Sequence, residues 1–300
     1  MKKQVATNKT PKAQIGIIGG SGLYQMEELK DVKEVALSTP FGKPSGKFIL
    51  GKLNGTPVAF LPRHGIGHTL LPSEINFRAN IYGFKQLGVT AILSVSAVGS
   101  MKKELKPGHI VVPDQFYDLT KGRKSSFFGN GIVAHVSFAD PICKALASTV
   151  ADASESVGAV VHRGGTYICM EGPQFSTRAE SCVHRQWKVS VIGMTNATEA
   201  KLAREAEICY VTIALSTDYD CWHISETPVT TEMVIKVLLT NVALSKNIIS
   251  ATVGRIDPTR DCRCGSALQN AIMTNPRLIP NKTKKDLNLL IGKYISSKPS

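Results

Sequence analysis

Apolar runs with the length of buried strands recur along this chain, and stretches of helical spacing lie between them. Gln14-Ile-Gly-Ile-Ile18 is the first such run, and it breaks into Gly19-Gly20-Ser21-Gly22-Leu23. Gly46 to Leu53 and Pro57 to Leu61 read as two strands joined at Asn54-Gly55, a tight-hairpin dipeptide. From Ser73 to Gly88, Ile75, Ala79, Tyr82, Phe84 and Leu87 recur at helical intervals up to a terminating glycine. Further strands are predicted at Val89 to Val95, Lys106 to Gln115, Thr166 to Met170, Val189 to Met194 and Cys209 to Leu215. Helices are predicted from Asp140 to near Gly158, from Ser176, over Ala197 to Glu207 and over Thr230 to Leu244, and residues 120 to 131 read as a loop. No repeat or linker interrupts residues 15 to 280. The alternation predicts an α/β fold: a single domain, with a central mixed or largely parallel β-sheet flanked by helices.

Charge changes that picture only at the ends. The net +13 suggests nucleic acid, but residues 1–12 and 276–300 supply +9 of it, so a basic arm (1–14) and a basic tail (281–300) flank a mildly basic body. No recognition motif accompanies the charge, which argues against specific nucleic-acid binding. No apolar run reaches membrane-spanning length and no signal core follows Lys2 and Lys3, so a soluble, cytoplasmic protein is expected. Seven cysteines scattered over residues 143 to 264 make no small disulfide scaffold, and Cys262-Arg-Cys264 lies too close for finger-type zinc spacing, so no metal is expected.

The candidate chemistry sits where predicted strands end, the place where open α/β sheets hold ligands. Ser216-Thr-Asp-Tyr-Asp-Cys-Trp222 follows the last strand, and Asp218 and Asp220, two apart, face one way on extended backbone. Carboxylates paired beside Trp222 repel, and burial raises at least one pKa toward a value suited to proton transfer. A solvated turn with an aspartate at each corner remains the other reading. Ser21, Arg63, His64, Ser96 and Thr195 end other strands and together offer hydroxyl, guanidinium and imidazole donors for one oxyanion. Phe175 and Met194 add apolar plates. A dinucleotide site is disfavoured because Gln25 stands where its fingerprint needs a small residue. The shared position of these groups points to a small-molecule enzyme.

Gly16 to Leu23, Thr39-Pro-Phe-Gly-Lys-Pro-Ser45, Arg63-His64-Gly65, Met170-Glu-Gly-Pro-Gln-Phe-Ser-Thr-Arg-Ala-Glu180, Met194-Thr195 and Thr217 to Trp222 stand in an order that resembles the trimeric purine nucleoside phosphorylase family. The likeness, which runs from about Ile15 to about Pro280, is to the branch that cleaves 5′-methylthioadenosine. The resemblance implies a purine nucleoside phosphorylase-like fold and phosphorolysis to adenine and 5-methylthioribose 1-phosphate, in purine and methionine salvage. Phosphate enters as co-substrate and no other cofactor is implied. Phosphate contacts would come from Ser21, Arg63, His64, Ser96, Ala97 and Thr195, with Ala97 and Met194 also along the ribose. Phe175 and Ser176 would adjoin the purine, with Asp218 at N7 and Asp220 at the 6-amino group. Val234 and Ile235 would face the methylthio group, and His135 would serve a neighbouring subunit of a trimer or dimer of trimers.

Relatives acting on 6-oxopurines place Glu at Ser176 and Asn at Asp218, so the carboxylates here favour adenine. Asn196-Ala197-Thr198-Glu199 lacks the family's proline, and Thr231, where relatives are apolar near the 5′ substituent, leaves adenosine open as a substrate; a methylthioinosine phosphorylase of the same fold is a further alternative. The Cys262-x-Cys264 pair resembles hyperthermophilic archaeal members, which implies disulfides, with Cys143 and Cys209 as a second pair. A hydrolase is disfavoured, because Arg63 and His64 would then have no anion to hold.

Overall fold

The computed structural model describes residues 12–20, 22–23, 25–223 and 231–295, without the side chains of 233–240. The first half contains β1 (Ile15–Gly19), β2 (Lys30–Val35), β3 (Phe48–Leu53), β4 (Thr56–Pro62), α1 (Phe77–Gln86), β5 (Ala91–Ser100), β6 (Ile110–Val112), β7 (Gln115–Asp118) and α2 (Lys144–Ser156). The second half contains β8 (Val161–Arg163), β9 (Thr166–Cys169), α3 (Arg178–Gln186), β10 (Val191–Gly193), α4 (Asn196–Glu205), β11 (Cys209–Asp218), α5 (Thr231–Val253) and α6 (Asn281–Ile295). Short 3-10 turns lie at Asp220–Trp222 and Cys264–Ser266.

The strands form one mixed sheet organised on β5. Along one edge of β5, residues 91–99 pair with parallel β11. The other edge is shared. β1 pairs in parallel with Ala91 to Ser94, and β10 pairs antiparallel with Gly99 and Ser100. β1 and β10 therefore run toward each other, and their C-terminal ends meet over Val95 to Val98. That head-to-head junction opens a gap in an otherwise hydrogen-bonded edge, and the β4 exit is tied beside it through the Arg63 N–H on Gly19 O.

Burial explains which elements the apolar pattern reveals. β1 and the first nine positions of β11 are buried throughout, as continuous apolar strands covered on both faces should be. β2, Lys-Asp-Val-Lys-Glu-Val, is exposed at five of its six positions, and its charges suit an edge that must not recruit another strand. The hairpin at Asn54-Gly55 forms as expected, with both residues at positive φ. Helices start later or run longer than the pattern predicts: α3 begins after Thr177, whose side chain and that of Glu180 form a reciprocal capping box, and α5 continues to Val253.

Residues 281 to 295 correct the reading of a basic tail. They form α6, which buries Leu287, Leu290 and Ile291; Lys293 pairs with the buried Glu207 at 2.6 Å, and Tyr294 also bonds Glu207. Basic residues every few positions hid the apolar stripe beneath them. Most of the N-terminal arm, and residues 296–300, lie outside the described residues.

The loop at 120–131 is fastened by Glu205, which accepts from Ser126 Oγ at 2.8 Å and Phe127 N–H at 2.7 Å. Burial pushes this carboxyl from 4.5 up to about 7 despite those two bonds. The folded chain therefore binds this proton more tightly than the unfolded chain. The stabilisation is full below pH 4.5 and is lost as pH rises through about 7. Glu205→Gln, whose amide can accept from Phe127 and donate to Ser126, should remove that dependence. Urea titrations should show wild type losing about 3 kcal/mol relative to the variant between pH 4.5 and 7.

Candidate active site

Arg63 enters directly from β4, its N–H bonded to Gly19 O at 3.0 Å, which ties the β4 exit to the β1 exit. Its guanidinium is buried and does not open toward the gap as expected. Nε donates to Glu199 Oε1 at 2.5 Å and Nη2 to Glu199 Oε2 at 3.3 Å, while Nη2 also reaches Ser94 Oγ and Nη1 reaches Val95 O. Of its five N–H groups, one on Nη1 is left over. Glu199 is saturated in turn by Ser94 Oγ and Tyr210 OH, both within 2.8 Å. The pair welds α4 to β4, β5 and β11, so Arg63 is first a positioning residue.

The anion donors lie around that weld. Thr195 is the N-cap of α4, and no side chain caps the first turn. The helix's leading N–H groups thus face the gap, where their dipoles favour an anion. Ser96 is buried, with its hydroxyl 3.3 Å from Ala97 O and also in contact with the Tyr167 hydroxyl. His64 stacks on His68 and bonds Leu70 O through Nδ1 at 2.8 Å. Burial, reinforced by Arg63, pushes its pKa down to about 4. At neutral pH the ring is uncharged, with its proton on Nδ1 because a carbonyl can only accept. Nε2 is then an acceptor, suited to a phosphate that still carries one proton. This differs from the donor expected on sequence grounds. Ser21 lies outside the described residues.

The carboxylates are held at the opposite side of β5. A bulge between Ser216 and Asp218 re-aims the end of β11, and Asp220 sits at φ 52, a strained value for a residue with a Cβ. Asp220 is buried and accepts from Ser181 Oγ at 2.6 Å; burial raises its pKa. Asp218 Oδ1 accepts from the Asp220 N–H at 2.8 Å. Thr217 Oγ1 lies 2.6 Å from Asp218 Oδ2 and 3.2 Å from Val98 O. One hydroxyl proton serves one of these at a time. Thr217 can donate to Asp218 as carboxylate, or donate to Val98 while accepting from a protonated Asp218, so the cradle accommodates either state. Gly99 leaves them room: a Cβ there would stand 3.2 Å from Asp218 Oδ1 and 3.0 Å from Ile192, tight enough to press on both. Trp222 anchors the turn, with its indole N–H on Ser100 O at 2.7 Å and Arg185 over its face.

The apolar plates occupy the remaining exits. Phe175 is 45 % exposed, and Ser176 accepts from the Cys221 thiol through its carbonyl. Met194 and Ala97 are half-buried beside the gap. His135 is exposed on a segment bridged to 271–273 and its N–H bonds Ala271 O, remote from these exits in its contacts. The side chains of Val234 and Ile235 lie outside the described residues.

Two residues escaped the sequence reading. Arg123, from the loop at 120–131, donates to Met194 O at 2.5 Å, Glu171 O at 2.6 Å and Glu171 Oε1 at 3.0 Å, clamping the β9 and β10 exits together. Asn196 joins Tyr167, Thr195, Ser94 and Thr212 in one buried network. Neither stands in a motif that distinguishes it from an ordinary loop arginine or helix-capping asparagine.

No disulfide is formed in this structure. All seven cysteines are free, and Cys143, Cys209, Cys262 and Cys264 converge with their sulfurs within 4.8 Å of one another.

Comparisons with known proteins agree with this geometry. The model of the phosphorylase superfamily matches residues 14–254. The chain is 60 % identical over 282 residues to S-methyl-5′-thioadenosine phosphorylase of Geobacter sulfurreducens, covering 94 % of this chain and 99 % of that one. A crystal structure of methylthioadenosine phosphorylase from an antarctic soil metagenomic library superposes with a TM-score of 0.89 at 49 % identity, covering 93 % of this chain and 99 % of that chain. Adenosine/methylthioadenosine phosphorylase from Schistosoma mansoni, solved with methylthioadenosine, gives 0.79 at 35 % identity, over 86 % and 97 % of the two chains.

Proposed function

This chain belongs to the phosphorylase superfamily, and we propose that it cleaves 5′-methylthioadenosine with inorganic phosphate to give adenine and 5-methylthioribose 1-phosphate. It is a pentosyltransferase. The observation that carries the reading is the 60 % identity to a methylthioadenosine phosphorylase across nearly the whole length of both chains. The opposed anion donors and carboxylates of the site support it.

Phosphate occupies the junction of β1 and β10, between the first turn of α4, Ser96, Thr195 and His64 Nε2. One phosphate oxygen bonds C1′ as the C1′–N9 bond breaks and its electron pair moves onto the base. Asp218, protonated at Oδ2, gives that proton to N7 and is left as the carboxylate that Thr217 and the Asp220 N–H stabilise. Asp220 accepts from the 6-amino group. Phe175 and Met194 exclude water beside the base and ribose. No organic cofactor or metal takes part in these steps.

Assembly as a trimer or dimer of trimers, in the cytoplasm, belongs to the same proposal. Exposed His135, with no role in its own subunit's site, supports a part in a neighbour's.

The test compares methylthioadenosine, adenosine, methylthioinosine and inosine at saturating phosphate. The proposal requires the highest kcat/KM on methylthioadenosine and negligible turnover of the two 6-oxopurines, whose 6-oxo group meets the Asp220 carboxylate with lone pairs. A preference for adenosine would make the broader 6-aminopurine phosphorylase the correct reading, and efficient inosine turnover would overturn the roles of both aspartates.

A further inference from the structure

We propose that Cys143, Cys209, Cys262 and Cys264 form a structural zinc site, independent of the reaction described above. Spacing along the chain hides this set, since Cys262-x-Cys264 alone lacks the usual ligand interval. The fold supplies the other half. Cys143 precedes α2, its N–H bonded to Tyr210 O at 3.1 Å, and Cys209 opens β11 one residue before that carbonyl. The turn at Cys264–Ser266 then brings both sulfurs of the third segment to the same point.

The donor set fits one ion. The four sulfurs lie within 4.8 Å of one another, and Cys209 and Cys262 are 3.3 Å apart. A tetrahedral zinc with Zn–S bonds of about 2.3 Å asks for sulfurs roughly 3.8 Å apart. The spacing is too close for the iron and sulfide of a cluster. Three of the four residues are buried and the fourth is half-buried, as in closed sites without an open coordination position.

Charge is also provided for. Zinc displaces the four thiol protons and leaves a net charge of −2 on the site. Arg260 donates from Nε to Cys209 Sγ at 3.2 Å, while its Nη2 is fixed on Thr90 O at 2.9 Å. That is the outer support expected of a thiolate site. Cys143 stands at the N-terminus of α2, where the helix dipole favours a thiolate. Bound there, the ion would fasten the segment after α5 to the start of β11, at the end of that strand opposite Asp218.

Zinc content of the full chain, purified without chelator and freed of loose metal, tests this. About one zinc per chain is expected, with a native mass heavier by one ion. Cobalt substitution should give the intense thiolate-to-metal absorption of a tetrahedral all-sulfur site. Cys264→Ser should reduce zinc well below one per chain, and the wild-type measurements stand even if that variant fails to fold. Metal-free, folded protein whose four thiols all react with a thiol reagent would overturn the proposal. So would an intact mass lighter by the hydrogens of one or two disulfides among these cysteines.

Discussion

Adenine release from methylthioadenosine should fall by about two to four orders of magnitude in kcat when Asp218 is replaced by asparagine, the usual weight of a positioned proton donor. The substitution is isosteric and its cradle can adapt. The amide oxygen keeps the Asp220 N–H, and the amide nitrogen donates to Thr217, which turns to Val98. Folding stability should therefore remain within about 1 kcal/mol of wild type. Loss of turnover is then loss of a proton and not of structure. Methylthioinosine turnover, negligible in wild type, should stay negligible, because Asp220 is unchanged and still meets the 6-oxo group with lone pairs. Steady-state kinetics on both substrates, with urea unfolding as control, separate these effects.

The second large effect concerns stability. Arg63→Ala leaves the buried Glu199 carboxylate with only Ser94 and Tyr210, and an unpaired buried charge costs about 3–5 kcal/mol. Urea unfolding should show that loss. Removing both charges in Arg63→Leu/Glu199→Leu should cost less than the sum of the two single changes, because neither charge is then stranded. If Arg63 instead served mainly as an open phosphate fork, the alanine variant would keep its stability and raise only the KM for phosphate. The geometry predicts the reverse order: stability falls first, and activity falls because α4 loses its seat.

Most of the site's location was legible in the sequence, because strands ending in polar or glycine-rich loops betray their exits. Asp218, Asp220 and Thr195 could be placed that way from apolar runs alone, whereas Ser96, read as the residue after a strand ending at Val95, lies inside β5, which continues to Ser100. What could not be read is direction. That β10 runs against β1 along one edge of β5, so that Thr195 faces the β1 exit, depends on pairings of two and four residues that carry no signal of their own. The same limit applies to side-chain orientation. Arg63 looked like an anion fork because the sequence does not show Glu199 arriving beneath it from a helix 136 residues away. His64 looked like a donor because its bond to Leu70 O, six residues on, was not visible. The convergence of the four cysteines could not be read, since only the fold brings Cys143 and Cys209 to Cys262 and Cys264. α6 was missed as charge-rich helices often are: Leu287, Leu290 and Ile291 make a narrow stripe among lysines.

The account rests on phosphate as the nucleophile that opens the glycosidic bond at the junction of β1 and β10. Adenine release from methylthioadenosine, followed with and without inorganic phosphate and with the sugar product identified, tests that directly. Release that requires phosphate and yields 5-methylthioribose 1-phosphate is predicted; release at the same rate without phosphate, yielding free methylthioribose, would contradict it.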